Sequence, residues 1–245
     1  MPDLNDGLEA HKLQTNNFGF SAERVENLDA TEYTLVTILV DTSTSTSLFR
    51  PEMRGAIDKI VEACSKSPRA DNLMVRVCEF NSNFSEIHGF KKLSSISKGD
   101  YDNVFTGGGM TALYDATENA VTATESYGKS LTENDFDTNA IVFIVTDGME
   151  NTSKATINTV QDAFKNVIRS EALESLISVL IGIQVDSQTD RYLQDFKKNA
   201  GITQYINMGD ATTKNLAKLA DFVSRSISSQ SQSLGTGGPS QSLAF

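Results

Sequence analysis

Two hydrophobic patterns alternate along the chain: short unbroken apolar runs, and stretches in which apolar residues recur every three or four positions. The run Leu35-Val36-Thr37-Ile38-Leu39-Val40 lacks the in-out alternation of a half-exposed strand. It predicts a strand over about 34–41, buried on both faces and ending in Asp41-Thr42-Ser43-Thr44-Ser45. Pro51 then suits the start of a helix carrying Met53, Ala56, Ile57, Ile60, Val61 and Cys64 on one face, stopped by Ser67-Pro68-Arg69. Strands over Leu73 to Phe80 and about Phe84 to Phe90 are separated only by Asn81-Ser82-Asn83, a link short enough for an antiparallel hairpin.

The pattern repeats downstream. Lys98 to Gly109 reads as loop, and Leu113, Ala116, Ala120 and Val121 mark a helix starting near Thr111. After a polar stretch from Gly128 to Asn139, a second central strand runs from Ala140 to Thr146 and ends in Asp147-Gly148. A helix over Ile157 to Ile168, a buried strand from Leu176 to Ile183, and a short helix capped by Gly201 follow. A half-polar strand, Ile202 to Met208, and a helix marked by Leu216, Leu219, Ala220 and Val223 complete the series. Strands alternating with helices predict an α/β fold, a mostly parallel sheet covered on both faces. Residues 1–30 read as a polar arm or strap, 31–228 as the domain, and 229–245, rich in Ser, Gln and Gly, as a disordered tail.

Composition narrows the function. A net charge of −11 argues against nucleic acid or anionic membrane partners unless a metal bridges them, and favours divalent cations. No apolar run approaches the roughly 20 residues of a membrane span, and the first residues lack signal-peptide character, so a cytoplasmic location is expected. Cys64 and Cys78 fall at core positions and read as reduced thiols. His88 reads as an exposed edge-strand residue, Asp115 as a solvated helix residue and Asp186 as a turn former.

Three segments carry the candidate chemistry. Asp41, Ser43 and Ser45 follow the first central strand, Thr111 follows Gly107-Gly108-Gly109, and Asp147 ends the second central strand. Open α/β sheets place ligand sites at the carboxyl edge, where all three arrive. Two carboxylates and three hydroxyls form a hard-oxygen set suited to magnesium or manganese, with calcium as an alternative. Zinc prefers Cys or His, and His11 and His88 are isolated in sequence. The glycines permit close backbone approach, and a helix beginning at Thr111 would aim amide donors at the site.

The segments Asp41-Thr42-Ser43-Thr44-Ser45, Gly107-Gly108-Gly109-Met110-Thr111-Ala112-Leu113 and Val145-Thr146-Asp147-Gly148 resemble, in order and spacing, the metal-ion-dependent adhesion site of von Willebrand factor A domains. The resemblance covers roughly residues 32 to 228. It implies a Rossmann-like, doubly wound sheet of six strands in order 3-2-1-4-5-6 with strand 3 antiparallel. It also implies that Ser43 and Ser45 bind metal directly, that Asp41 and Asp147 act mostly through water, and that Thr111 switches between the two modes. A partner protein's Asp or Glu would complete the coordination. Thr44 stands where the family often has Gly, and Met110 adds bulk before the threonine. Among relatives the chain looks most like stand-alone intracellular domains of bacteria and phages, including the tellurite-resistance-associated type.

The leading expectation is therefore a non-enzymatic, metal-dependent protein-binding module whose oligomeric state the sequence leaves open. A scaffold or virion component binding through its tail is the alternative, followed by a metal-dependent phosphohydrolase, for which the motif segments offer no general base. A phosphate-cradling role for the glycine loop lacks the Gly-Lys-Ser/Thr ending.

Overall fold

A computed structural model describes residues 7–13, 19–97 and 99–245. In chain order the elements are β1 (Glu9–Lys12), β2 (Gly19–Ala22), β3 (Glu32–Asp41), α1 (Arg50–Ser65), β4 (Leu73–Phe80), β5 (Phe84–Lys92), α2 (Leu113–Thr132), β6 (Asp137–Thr146), α3 (Ile157–Ser170), β7 (Leu176–Ile183), α4 (Ser187–Ala200), β8 (Gln204–Gly209) and α5 (Thr213–Thr236). Among the described residues the sheet has eight strands in the order β1-β2-β5-β4-β3-β6-β7-β8. Its six strands β5 to β8 carry the expected 3-2-1-4-5-6 order, and β5 runs antiparallel to β4. The expectation of six strands is corrected by the hairpin β1–β2, added beyond β5.

Two faces form two cores. Alternate residues of β3, Val36, Ile38 and Val40, point toward α1 and α5, where Met53, Ile57, Ile60, Leu216, Leu219 and Val223 cover them. The opposite face, with Leu39, Cys78, Val142 and Ile144, is covered by α2, α3 and α4. Central strands buried on both sides explain why β3 and β6 read as continuous apolar runs. Cys64 and Cys78 sit unpaired in these cores, and burial pushes both thiols up to about 12.

The arm expected over 1–30 joins the fold, although residues 1–6 and 14–18 lie outside the described residues. Leu13, Phe20 and Ala22 are buried with Phe90 and Tyr127 in a third cluster. The hairpin meets β5 through one registered pair, Ala22↔Phe90. His88, expected at an exposed edge, is fully buried because β2 and the segment around Tyr101 cover its strand. Its Nε2 lies 2.8 Å from the Tyr101 hydroxyl and its Nδ1 2.9 Å from the Gly89 carbonyl.

The tail expected from residue 229 begins instead as helix, over 229–236. α5 continues to Thr236, and Gly237, at φ 65°, caps it in the left-handed region. Gln230 is buried: its Nε2 donates to the Ala140 carbonyl (3.2 Å) and Ser175 Oγ (2.8 Å), and its own carbonyl accepts from Asn139 Nδ2 (2.8 Å). Arg69 Nε donates to Ser231 Oγ at 2.9 Å. Beyond the helix, Ser240 Oγ lies 2.6 Å from Ser175 Oγ and Phe245 packs edge-on against Phe222. Gln230→Ala is expected to cost about 2 kcal/mol, since it removes the two side-chain hydrogen bonds to Ala140 and Ser175 and leaves a void. Urea unfolding measures it, and a change within error of zero would show that the lower half of α5 is not part of the cooperative domain.

Candidate metal centre

Parallel pairing sets the site. β3 and β6 are neighbours in register up to Val40↔Val145, so Asp41 and Asp147 leave the sheet side by side at its carboxyl edge. Asp41 ends β3 fully buried. Its Oδ1 accepts from Ser43 N at 2.8 Å, a local turn that bends the chain away from the strand. Its Oδ2 accepts from Thr146 Oγ1 at 2.6 Å. The 3-10 turn Thr44–Leu48 then carries Ser45 back over the edge. Ser45 Oγ lies 3.2 Å from Ser43 Oγ and donates to Asp147 Oδ1 at 2.8 Å.

Thr111 arrives from the other side. Its backbone N–H donates to Asn151 Oδ1 at 2.8 Å, and Asn151 N returns a bond to the Thr111 carbonyl at 3.1 Å. Its hydroxyl reaches the turn after Asp147, since a Cβ on Gly148 would stand 3.4 Å from Thr111 Oγ1. The structure thus brings Asp41, Ser43, Ser45, Thr111 and Asp147 to one place. Among the described residues no group of three or more His, Cys, Asp and Glu assembles, so the hydroxyls are needed for any ion held here.

The oxygens fit a small divalent cation. Octahedral coordination at about 2.1 Å sets neighbouring ligand oxygens about 3.0 Å apart. The Ser43–Ser45 and Ser45–Asp147 oxygen separations of 3.2 and 2.8 Å straddle that value. Electrostatics agree. Burial pushes the Asp41 carboxyl up to about 6, against the hydrogen bonds from Thr146 and Ser43. Burial also raises Asp147, against its bond from Ser45 and the nearby Arg50 charge. Arg50 is turned to the back of the loop, donating to the carbonyls of Thr42 and Ser43 at 2.9 and 2.8 Å. A bound cation would offset this burial penalty by favouring the ionised form of both carboxyls.

The glycine loop is fixed by contact. A Cβ at Gly107 would come within 2.4 Å of Asn81 Nδ2 and 2.6 Å of Thr42 Oγ1, so any larger residue would have to displace both side chains for the loop to lie this close. Thr44, where glycine was the family expectation, acts as a clamp. Its N–H donates to the Gly109 carbonyl (3.1 Å) and its Oγ1 accepts from Gly109 N (2.9 Å). Thr44→Val is expected to weaken magnesium binding severalfold and to cost about 1 kcal/mol. Calorimetric titration of the two proteins checks it, and equal affinities would mean the loop is held without the clamp.

Four successive amides of this loop are taken by the protein itself. Gly109 N is taken by Thr44, Met110 N by Ser82 Oγ, Thr111 N by Asn151 and Ala112 N by the Asn81 carbonyl. At the start of α2, Glu150 Oε2 accepts from Tyr114 N at 2.9 Å and Ser153 Oγ accepts from Asp115 N at 3.0 Å. These contacts correct the expectation that the helix aims its amides at the site, since those of Thr111, Ala112, Tyr114 and Asp115 all go to protein acceptors. Asp115, expected to be solvated, accepts from Lys154 N and Ala155 N. Asp186 caps α4 as a turn residue, accepting from Gln188 N and Thr189 N.

Sequence reasoning missed Thr146, Arg50, Glu150 and Asn151. A signal existed for the last two, since Glu150-Asn151-Thr152-Ser153, one residue after Asp147-Gly148, is a polar run rich in capping residues. What it caps lies 36 residues or more away, and spacing does not show that.

The architecture is von Willebrand factor A-like, an α/β domain with a mostly parallel central sheet between helices. No protein-family profile matches the sequence, and no curated protein does. Solved structures do share the fold. Proximal thread matrix protein 1 from the mussel byssus is 19% identical with a TM-score of 0.54, covering 82% of this chain and 47% of its own; one of its structures has a zinc-occupied MIDAS motif. A D319A mutant of the PilB minor pilin of Streptococcus sanguinis is 13% identical with a TM-score of 0.58, covering 91% and 67%. The SpaC pilus adhesin of Lactobacillus rhamnosus GG is 10% identical with a TM-score of 0.55, covering 94% and 35%. The chain spans about half the length of the byssus protein it matches. At these identities the likeness is one of fold. A byssus protein and pilus proteins give no support to the intracellular bacterial or phage type.

Proposed function

We propose that the chain is a metal-dependent protein-binding module. Asp41, Ser43, Ser45, Thr111 and Asp147 would hold magnesium or manganese, and a partner's Asp or Glu carboxylate would complete the ion's coordination. The observation that carries this reading is the chain of close oxygens from Ser43 through Ser45 to Asp147, beside the buried Asp41. When bound, the cation supplies a positive centre for an incoming carboxylate. The chain's own residues do the rest. Thr146 and Ser43 N hold the Asp41 carboxylate in place, Arg50 braces the loop from behind, and Asn151 fixes the Thr111 backbone.

A non-enzymatic role is part of the proposal. Burial pushes the His88 imidazole down to about 3 and encloses it with Tyr101 beneath β5, so it is no general base for a reaction at the carboxyl edge. The amides of Gly109, Met110 and Thr111, taken by protein acceptors, argue the same way against phosphate ester substrates.

The test is capture from native lysate by the purified protein in magnesium, in chelator, and with Asp41→Ala. A partner retained only with magnesium and intact Asp41 supports the reading. A partner retained in chelator and by the variant moves binding to another surface, and metal-dependent turnover of a phosphate ester would replace the proposal with the enzymatic one.

A further inference from the structure

Four large apolar side chains are exposed among the described residues: Leu48, Met110, Ile168 and Phe245. Phe245 packs against Phe222, and Ile168 lies on α3. The other two flank the candidate metal centre. Leu48, 88% exposed, closes the 3-10 turn three residues after Ser45. Met110, 49% exposed, directly precedes Thr111. The two segments are joined by the Thr44–Gly109 bonds at 3.1 and 2.9 Å, so both side chains stand on the pieces of chain that present Ser45 and Thr111.

Neither side chain serves the fold. Phe49, next to Leu48, is buried in the core, while Leu48 itself is left in water. Met110 is held by its backbone, through Ser82 Oγ, with its side chain half in solvent. The stretches 42–49, 81–84 and 105–112, which carry these residues and most of the donor hydroxyls, contain no charged side chain, in a protein whose net charge is −11. On this side of the site a partner's flanking residues meet no ion pairs; the charges nearby, Asp147, Glu150 and Arg50, lie on the Asp147 loop and behind the 3-10 turn. Such a rim offers two apolar contacts beside the place where one carboxylate is wanted.

We infer that the site selects a carboxylate set between aliphatic or aromatic residues, in a partner segment whose apolar neighbours cover Leu48 and Met110. This rests on the metal-binding reading above and specifies the partner it takes. Burying a side chain of this size strengthens binding about tenfold or more, enough to sort partners that share the same acid.

The probe is an immobilised synthetic peptide library with a central Asp or Glu and randomised positions on either side. The full chain is applied in magnesium and again in chelator. The expected result is magnesium-dependent binding enriched for Leu, Ile, Met or Phe beside the acid. The double variant Leu48→Ser, Met110→Ser should bind those enriched peptides about a hundredfold more weakly, no better than peptides with Ser or Gly flanks. Circular dichroism confirms that it folds.

Magnesium-dependent binding without an apolar preference, or with a preference the double variant keeps, overturns the inference and leaves the metal-binding reading standing. A protein that takes up magnesium by calorimetry but retains no peptide also overturns it. Binding that ignores chelator and Asp41→Asn would sink the metal-binding reading itself, and the inference with it.

Discussion

Asp41→Asn is expected to lower divalent-cation affinity at least a hundredfold while making the metal-free protein more stable at pH 7. The two effects share one cause. Asp41 is fully buried and its carboxyl is pushed up to about 6, against about 3.9 in an unfolded chain. Between those values the native state holds the proton more tightly than the unfolded state, so metal-free stability falls as pH rises from about 4 to about 6. A shift of that size corresponds to about 3 kcal/mol at most. Asparagine keeps an acceptor for Ser43 N and removes the charge, so the variant sheds the penalty together with the ligand. Thermal unfolding in chelator from pH 4 to 8 should show wild type losing stability through this window and the variant losing less. With magnesium the wild-type loss should disappear, because the cation favours the ionised form. Wild-type stability that rises through the window in chelator would refute the account, as would a variant that still gains stability from magnesium.

Arg76→Ala is expected to be the most destabilising single change away from the site, at about 3–5 kcal/mol. Arg76 on β4 is fully buried, with Nε 2.6 Å from Glu86 Oε2 and Nη2 3.0 Å from Asn119 Oδ1. Its guanidinium carbon lies 5.6 and 5.8 Å from the ring centroids of Phe84 and Phe90. Glu86 also accepts from Ser21 N at 2.9 Å, so the pair ties the amino-terminal hairpin to the sheet. Truncating the arginine leaves that half-buried carboxylate without its cation. Arg76→Met with Glu86→Gln removes both charges, keeps an acceptor for Ser21 and should recover much of the loss. Urea unfolding of the three proteins decides, and a double variant no better than Arg76→Ala would place the loss in packing rather than in the stranded charge.

The central elements were legible because local pattern and burial agree there. Leu176–Ile183 is a strand with the expected ends, and Gly201, at φ 84°, caps α4 as its position suggested. The edges were not legible, for two physical reasons. Gly19–Ala22 is too short to show a period, and its pairing to β5 spans a long stretch of sequence with one registered pair. The last turns of α5 bury Gln230 and Ser231 against Asn139, Ser175 and Arg69, so polar residues do the work of a core while composition reads as a tail. At the site, the donor oxygens were readable from three local motifs. The residues that hold them, Thr146, Arg50 and Asn151, act across strands and loops, and nothing in local spacing marks them.

The two core thiols have a practical consequence. With Cys64 and Cys78 both buried and their thiols raised by that burial, thiolate is scarce at pH 7, and neither sulfur is open to a reagent. A cysteine introduced at Leu48 would be the reactive position in a native background that needs no cysteine removal. A maleimide dye placed there would report, by its emission, when something settles over the carboxyl edge.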